Sequence, residues 1–285
     1  MSLLGCISRA NRAYTAFVIE HEYMYFLYND QKNLYICRYI KSLDNMEVLN
    51  KKTAGKTLRP ERIIQFGEGN FLRAFADSEA PYHERKVTLL NGPHTVLSPV
   101  AYLSGINIVR DACRHEVIGR YIHRVMFDEL METLNLPKAE LEQFAHDVLE
   151  RFNNPFVDHR LTSIMLNSFP KYRTRDLPGV KVYLARKGKL PEGLVLGLAA
   201  MIVYYKGGNR ADGTEIKPDD SPEIIEWLQR LWKTNDTQEV AKGVLGATFI
   251  WDEDLNHIPG LTALVKKYLD DILEKGMLET VKELL

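Results

Sequence analysis

The sequence predicts a mainly α-helical protein, with a short strand–turn–helix unit and an aromatic segment ahead of the helices. Three observations carry this. Apolar residues recur at helical spacing almost throughout from residue 94 to the end. The stretch RIIQFGEGNFLRAF (62–75) runs from apolar residues through Gly67-x-Gly69 straight into helix-compatible sequence. Residues 22–40 are aromatic and β-prone on both sides of a polar NDQKN turn. The expected division is residues 1–45, an atypical aromatic-rich segment; 46–80, the strand–turn–helix unit; and 81–285, one helical domain.

Taken in order, EYMYFLYNDQKNLYICRYI (22–40) reads as a β-hairpin. One hairpin alone is marginal in water and needs a surface to pack on, so it reads as an appendage without chemistry. Met46 opens a polar lead-in to the first buried strand, which makes it a natural start. Residues 111–134 place Val117, Tyr121, Val125 and Leu130 on one helix face. A helix then follows Asn135 as N-cap, with Leu141, Phe144, Val148 and Phe152 as its apolar stripe. LVLGLAAMIVYY (194–205) is apolar all round and too short to span a bilayer, which takes about 20 residues, so it is a core helix. Residues 206–222 are a Gly/Asp/Pro loop. Ser221 and Pro222 are the N-cap and first residue of the next helix. The C-terminal residues read as one long amphipathic helix that Gly276 weakens by about 1 kcal/mol without breaking it.

Lys+Arg 37 against Asp+Glu 38 gives a net charge of −1, with no general attraction to nucleic acid or to anionic membrane. Cys6, Cys37 and Cys113 are odd in number and far apart, without metal-ligand spacing. Neither a disulfide framework nor a zinc site is expected, and a reducing, cytoplasmic setting follows. The N-terminus lacks the basic and apolar regions of a signal peptide.

Three stretches could carry chemistry. Gly67-Glu68-Gly69 sits between a strand and a helix, where glycines let backbone approach a phosphate; a plain glycine turn fits the spacing equally well. Lys86, Asn91 and His94 would share an arc of about 140° on a continuous helix at about 100° per residue. Gly92-Pro93 argues against that continuity. A partly desolvated lysine can act as general acid/base, with an amide and an imidazole beside it to hold a hydroxyl or carbonyl. A surface lysine, a capping Asn and a core His explain the same residues. Residues 153–175 are dense in Arg, Lys, His and Asn around Leu161, Ile164 and Met165. That density suits an acidic sugar or polyol, and equally a solvated helix. His21, His83, His115, His123, His146 and His257 are given no role.

Together these stretches resemble the polyol-specific long-chain dehydrogenases, the mannitol dehydrogenase family, and within it the tagaturonate-reducing branch. RPERIIQFGEGNFLRAFAD (59–77) is similar to the family's nucleotide-binding start, with Gly67, Gly69, Phe71, Arg73 and Ala74 on its G-x-G-x-F-x-R-A pattern. ERKVTLLNGPHTVLSPVAYLSG (84–105) is similar to the start of the helical substrate domain, with Lys86, Asn91 and His94 on K-x4-N-x2-H. The resemblance implies a mannitol dehydrogenase C-terminal-like helical domain behind a residual βα fragment of a Rossmann domain. It implies NAD as cofactor, with Gly67, Gly69, Phe71 and Arg73 at the cofactor and no metal. Lys86 would be the catalytic acid/base, and Asn91, His94 and Lys171 would bind the substrate, a small sugar acid or polyol. The implied reaction reduces the ketone of a keto-uronate, tagaturonate to altronate.

One departure stands beside the match. Only SEAPYH (78–83) separates Asp77 from Glu84, where the family carries most of its Rossmann domain. The strands that would cover adenine and ribose are missing. The expected functions are therefore an NAD-dependent oxidoreductase impaired by the loss, or an inactive helical domain that folds, and can self-associate, without NAD. A helical nucleic-acid-binding or scaffold protein ranks below both, because no basic stripe supports it.

Overall fold

The computed structural model describes residues 14–20, 23–30 and 33–36, and residues 80–285. The glycine turn, with Gly67, Gly69, Phe71 and Arg73, lies outside the described residues. The chain divides into two compact units, Met1–Phe66 and Gly67–Leu285.

In the first unit, β1 (Tyr14–Glu20), β2 (Tyr23–Asp30) and β3 (Asn33–Ile36) form an antiparallel sheet in that order. The hairpin expected in residues 22–40 is the β2–β3 pair, closed by Asp30 opposite Asn33. β1 pairs with β2 from Tyr14 opposite Asn29 to Glu20 opposite Tyr23, a strand the sequence reading missed. Its content of aromatic and β-branched residues suits a strand.

The second unit is helical. α1 (Ala80–Lys86) runs through a π-helical turn, Val87–Asn91, into α2 (Gly92–Leu103). α3 (Val109–Arg114) and α4 (Glu116–Arg124) follow, and a second π turn, Val125–Leu130, ends in a 3₁₀ turn, Met131–Thr133. Then come α5 (Lys138–Phe152), α6 (Leu161–Met165), α7 (Ser168–Arg175), α8 (Leu177–Lys187) and α9 (Glu192–Lys206). A two-residue hairpin, β4 (Gly208–Asn209) with β5 (Glu215–Ile216), leads to α10 (Pro222–Trp232), α11 (Thr237–Leu245) and α12 (Thr248–Trp251). α13 (Leu261–Lys275) and α14 (Met277–Leu284) close the chain.

α9 is the axis of the core. Every residue from Gly193 to Tyr205 is buried, and α2 and α13 pack along it. A helix apolar all round has to be covered on every side, which the other helices do. Among the described residues no helix is long and apolar enough to cross a membrane. Ser221 caps α10 as expected, its hydroxyl accepting from the Ile224 N–H, with Pro222 at the first position. The stripe Leu141, Val148 and Phe152 is buried and Phe144 packs against the same core.

Three expectations are corrected. Gly92-Pro93 does not interrupt the helix, because the π turn ahead of it already shifts the hydrogen-bond register and Pro93 joins α2 at its start. Asn135 is not the cap of α5: the flanking residue is Pro137, without a side-chain cap bond, and Asn135 instead accepts from Arg186 Nη2 at 2.6 Å. Gly276 does break the C-terminal helix, adopting φ 85° and ψ 159° between α13 and α14. A positive φ of this kind is open to glycine at little cost. The 206–222 loop is built around Arg210, which lies over the Tyr102 ring and donates to Tyr102 O at 3.1 Å and Asn107 Oδ1 at 3.0 Å.

Glu129, in the second π turn, is buried and accepts from the Gly193 and Leu194 N–H groups at 2.8 and 2.9 Å, so it caps α9. Burial raises its pKa to about 7; the two N–H groups and Arg124 pull the other way and lose. The raised value means the folded state holds this proton more tightly than the unfolded chain. The stabilisation is complete below the unfolded value of 4.5 and is lost as pH rises to about 7. The stability of the wild type relative to Glu129→Gln is therefore expected to fall between those limits, at no more than about 1.4 kcal/mol per pH unit. Urea midpoints of both proteins across that range measure it; parallel curves would contradict the assignment.

Candidate functional site

Lys86 closes α1, Asn91 closes the π turn and His94 stands in the first turn of α2. All three are partly buried and lie on successive turns of one helical rod. In an α-helix a residue five along has rotated well past the starting face. In a π turn the i→i+5 bond, here Gly92 N–H to Val87 O, carries the chain round in about one more residue. Asn91 thereby comes back toward the side of Lys86, and His94 follows three residues on, one α turn away.

The His94 ring stacks on Phe152 of α5, with centroids 3.9 Å apart, and meets His159 edge-on at 5.5 Å. Burial, with the positive fields of His159, Arg175 and Arg151 behind it, lowers its pKa to about 3. The imidazole is neutral at any ordinary pH, one nitrogen donating and the other accepting. His159 is the residue sequence reasoning missed. Its segment pairs with the chain ahead of α3, Val109 N donating to His159 O and Leu161 N to Asn107 O, both at 2.9 Å. Arg110 holds the preceding loop through Pro155 O at 3.0 Å and Asp158 at 2.8 Å. Only the Arg-rich character of residues 153–175 hinted at this, since contact between His94 and His159 is a matter of tertiary packing. Phe156 of that loop is 93% exposed.

Arg175 links the remaining residues. Its Nη1 donates to Thr95 Oγ1 at 3.3 Å, and the Thr95 hydroxyl donates to Asn91 O at 2.9 Å. Lys171 sits one turn earlier on α7, donating from Nζ to Ile164 O at 2.7 Å. Burial and then Arg175 lower its pKa, with Asp220 opposing them. Arg175 thus acts on both His94 and Lys171. A cleft of about 260 Å³ opens beside the π turn, its walls including Glu84, Val87, Thr88, Thr174, Arg175 and Gly179. Lys86, Asn91, His94 and Lys171 are not in its walls. Among the described residues no group of three or more His, Cys, Asp or Glu side chains could hold a metal ion. The surroundings of His94 are cationic and aromatic, suited to an oxygen-rich, negatively charged ligand.

The mannitol dehydrogenase C-terminal domain matches residues 80–273. An altronate oxidoreductase of Phocaeicola vulgatus is 77% identical over 211 residues, which is 74% of this chain and 44% of that protein. An altronate oxidoreductase of Bacillus subtilis is 39% identical over 205 residues, 71% of this chain and 41% of the relative. The chain therefore spans less than half the length of the curated relatives it matches. Among solved structures, the fold is like that of Pseudomonas fluorescens mannitol 2-dehydrogenase in a ternary complex with NAD and D-mannitol. The TM-score is 0.62 at 24% identity, over 72% of this chain and 40% of that one.

Proposed function

Since the chain belongs to the mannitol dehydrogenase family by the match over its helical domain, we propose that it carries the substrate half of an NAD-dependent oxidoreductase. The reaction is reduction of the ketone of a keto-uronate, tagaturonate to altronate, in keeping with the altronate oxidoreductases it is similar to. The observation that supports the reading is the π turn between Lys86 and Asn91, whose wider register favours one side for residues five apart, on a rod that also bears His94. Lys86 gives its proton to the ketone oxygen as that oxygen becomes an alcohol. Asn91 and the neutral His94 hold the reacting oxygen and a neighbouring hydroxyl. Lys171, Arg175 and Arg151 supply positive field for the substrate's carboxylate.

The hydride is the cofactor's to supply when it is bound. The described residues do not fit that group on their own. The strands within 80–285 are a two-residue antiparallel pair, and the described sheet of the first unit is antiparallel throughout. A dinucleotide is held at the carboxyl ends of parallel strands. Gly67, Gly69, Phe71 and Arg73, which the resemblance assigns to NAD, lie outside the described residues. The part of this chain is thus to bind the substrate and move a proton.

Mixing the chain at high concentration with NADH and tagaturonate and following NADH absorbance tests the activity; no oxidation would sink it. The short link SEAPYH (78–83) between Asp77 and Glu84 favours a second reading, an inactive helical domain without cofactor binding. Titration with NADH separates the two, because micromolar binding is incompatible with the second.

A further inference from the structure

Asp176 lies between α7 and α8, fully buried, and neither carboxylate oxygen has a hydrogen-bond partner. An aspartate just before a helix ordinarily accepts from first-turn N–H groups. This one makes no such bond. The backbone runs on helically through it instead, Asp176 N donating to Tyr172 O and Val180 N to Asp176 O, both at 2.9 Å. The donors around it are committed elsewhere: Tyr121 to Gly193 O at 2.9 Å, Tyr172 to Leu194 O at 3.0 Å, and Arg175 to Thr95. Glu129, the other acid in the field of these tyrosines, caps α9.

What Asp176 faces is the helix that bears the site. A methyl group on Gly92 would stand 2.8 Å from Asp176 Oδ1. The Cβ direction of a helical residue tilts toward the N-terminus, so this oxygen lies over the π turn. That turn has a spare acceptor. Gly92 N–H bonds Val87 O in the i→i+5 register, and the next bond in that register would run from residue 93 to Thr88 O. Residue 93 is proline and has no N–H.

We propose that Asp176 is held as a neutral carboxylic acid and donates its proton to the carbonyl that Pro93 leaves spare, pinning the π turn between Lys86 and Asn91. An ionised carboxylate here would be a buried charge with no donor, facing a carbonyl oxygen. The neutral acid supplies the donor that the turn lacks. Burial, which raises the pKa of Asp176 well above the carboxylate range against a lesser pull from Arg175, points the same way. Asp176 touches no reacting atom; it is a positioning residue for Lys86 and Asn91.

The decisive measurement is the infrared difference spectrum of the wild-type chain minus Asp176→Asn at pH 7, in light and heavy water. A carboxylic-acid C=O band that shifts on deuteration is expected, and the Glu129 signal, common to both proteins, cancels. Asp176→Asn keeps a donor for the same carbonyl, so its urea midpoint should stay near that of the wild type. Asp176→Ala should lower the midpoint and speed amide exchange in 88–92 on the order of tenfold. Absence of the acid band overturns the proposal, as does an Asn variant that loses as much as Ala or fails to fold. Should the Ala variant not fold, the infrared band and the Asn midpoint decide. None of these readouts depends on catalytic activity.

Discussion

Lys86→Ala is expected to lower the NADH-dependent reduction of tagaturonate by about 10²-fold or more, the usual scale for loss of a general acid/base. The role falls to Lys86 through its place in the K-x4-N-x2-H pattern. Of those three residues His94 is the other titratable one, and its pKa is pushed down to about 3. A neutral imidazole can hold a hydroxyl but does not bring a proton of its own at pH 7. A guanidinium is a charge partner rather than a proton donor in such a site. His94→Ala should therefore raise KM while leaving the pH dependence of kcat/KM in place. Lys86→Arg should be nearly as poor as Lys86→Ala, since a guanidinium keeps the charge and withholds the proton. Steady-state rates of the three variants across pH check this. An unchanged rate in Lys86→Ala would remove Lys86 from the chemistry.

Why the rod was only half legible follows from how periodicity is read. A step of about 100° per residue assumes one register throughout. Residues 111–134 did carry the sign of a change, because Val125 and Leu130 are five apart and both are buried. That spacing shares a face only where the chain makes a π turn, and the structure has one over Val125–Leu130. The Lys86–Asn91 spacing is also five, and there Gly92-Pro93 argues against continuity only until the wider turn that accommodates it is known. α9 was legible because thirteen consecutive buried positions leave one interpretation. His159 and Arg175 were not, since their relation to His94 depends on a loop tied down by Arg110 and on the angle between α2 and α7. Gly276 was misjudged because an average helix cost says nothing of a positive φ.

Gly197→Ala is expected to destabilise the helical unit more than a change of one methyl group ordinarily does. Gly197 lies in the middle of α9, where α2 crosses it. A methyl there would stand 2.5 Å from Val96 Cβ, 2.7 Å from Val96 Cγ1 and 3.1 Å from Val96 Cα. Two of these atoms are fixed to the α2 backbone, so no rotamer change relieves them. At Gly243 the corresponding contact is 2.8 Å from a Leu231 methyl, the end of a flexible side chain, and Gly243→Ala should cost less. Alanine gains up to about 1 kcal/mol in helix propensity over glycine. Overpacking of a tight core costs about 1–3 kcal/mol, occasionally more, and α9 has buried neighbours on every side that keep it from backing away. The clash should therefore win, lowering the urea midpoint of Gly197→Ala well below that of Gly243→Ala. Any relief has to come from α2 moving off α9. Val96 is two residues from His94, whose ring is stacked at 3.9 Å on Phe152 of a different helix. A shift of α2 that admits the methyl must disturb that stack, so His94 chemical shifts should move in Gly197→Ala and hold still in Gly243→Ala. Equal stability of the two variants would mean that the α2–α9 crossing yields without cost, and the rod would then be less firmly held than its packing implies.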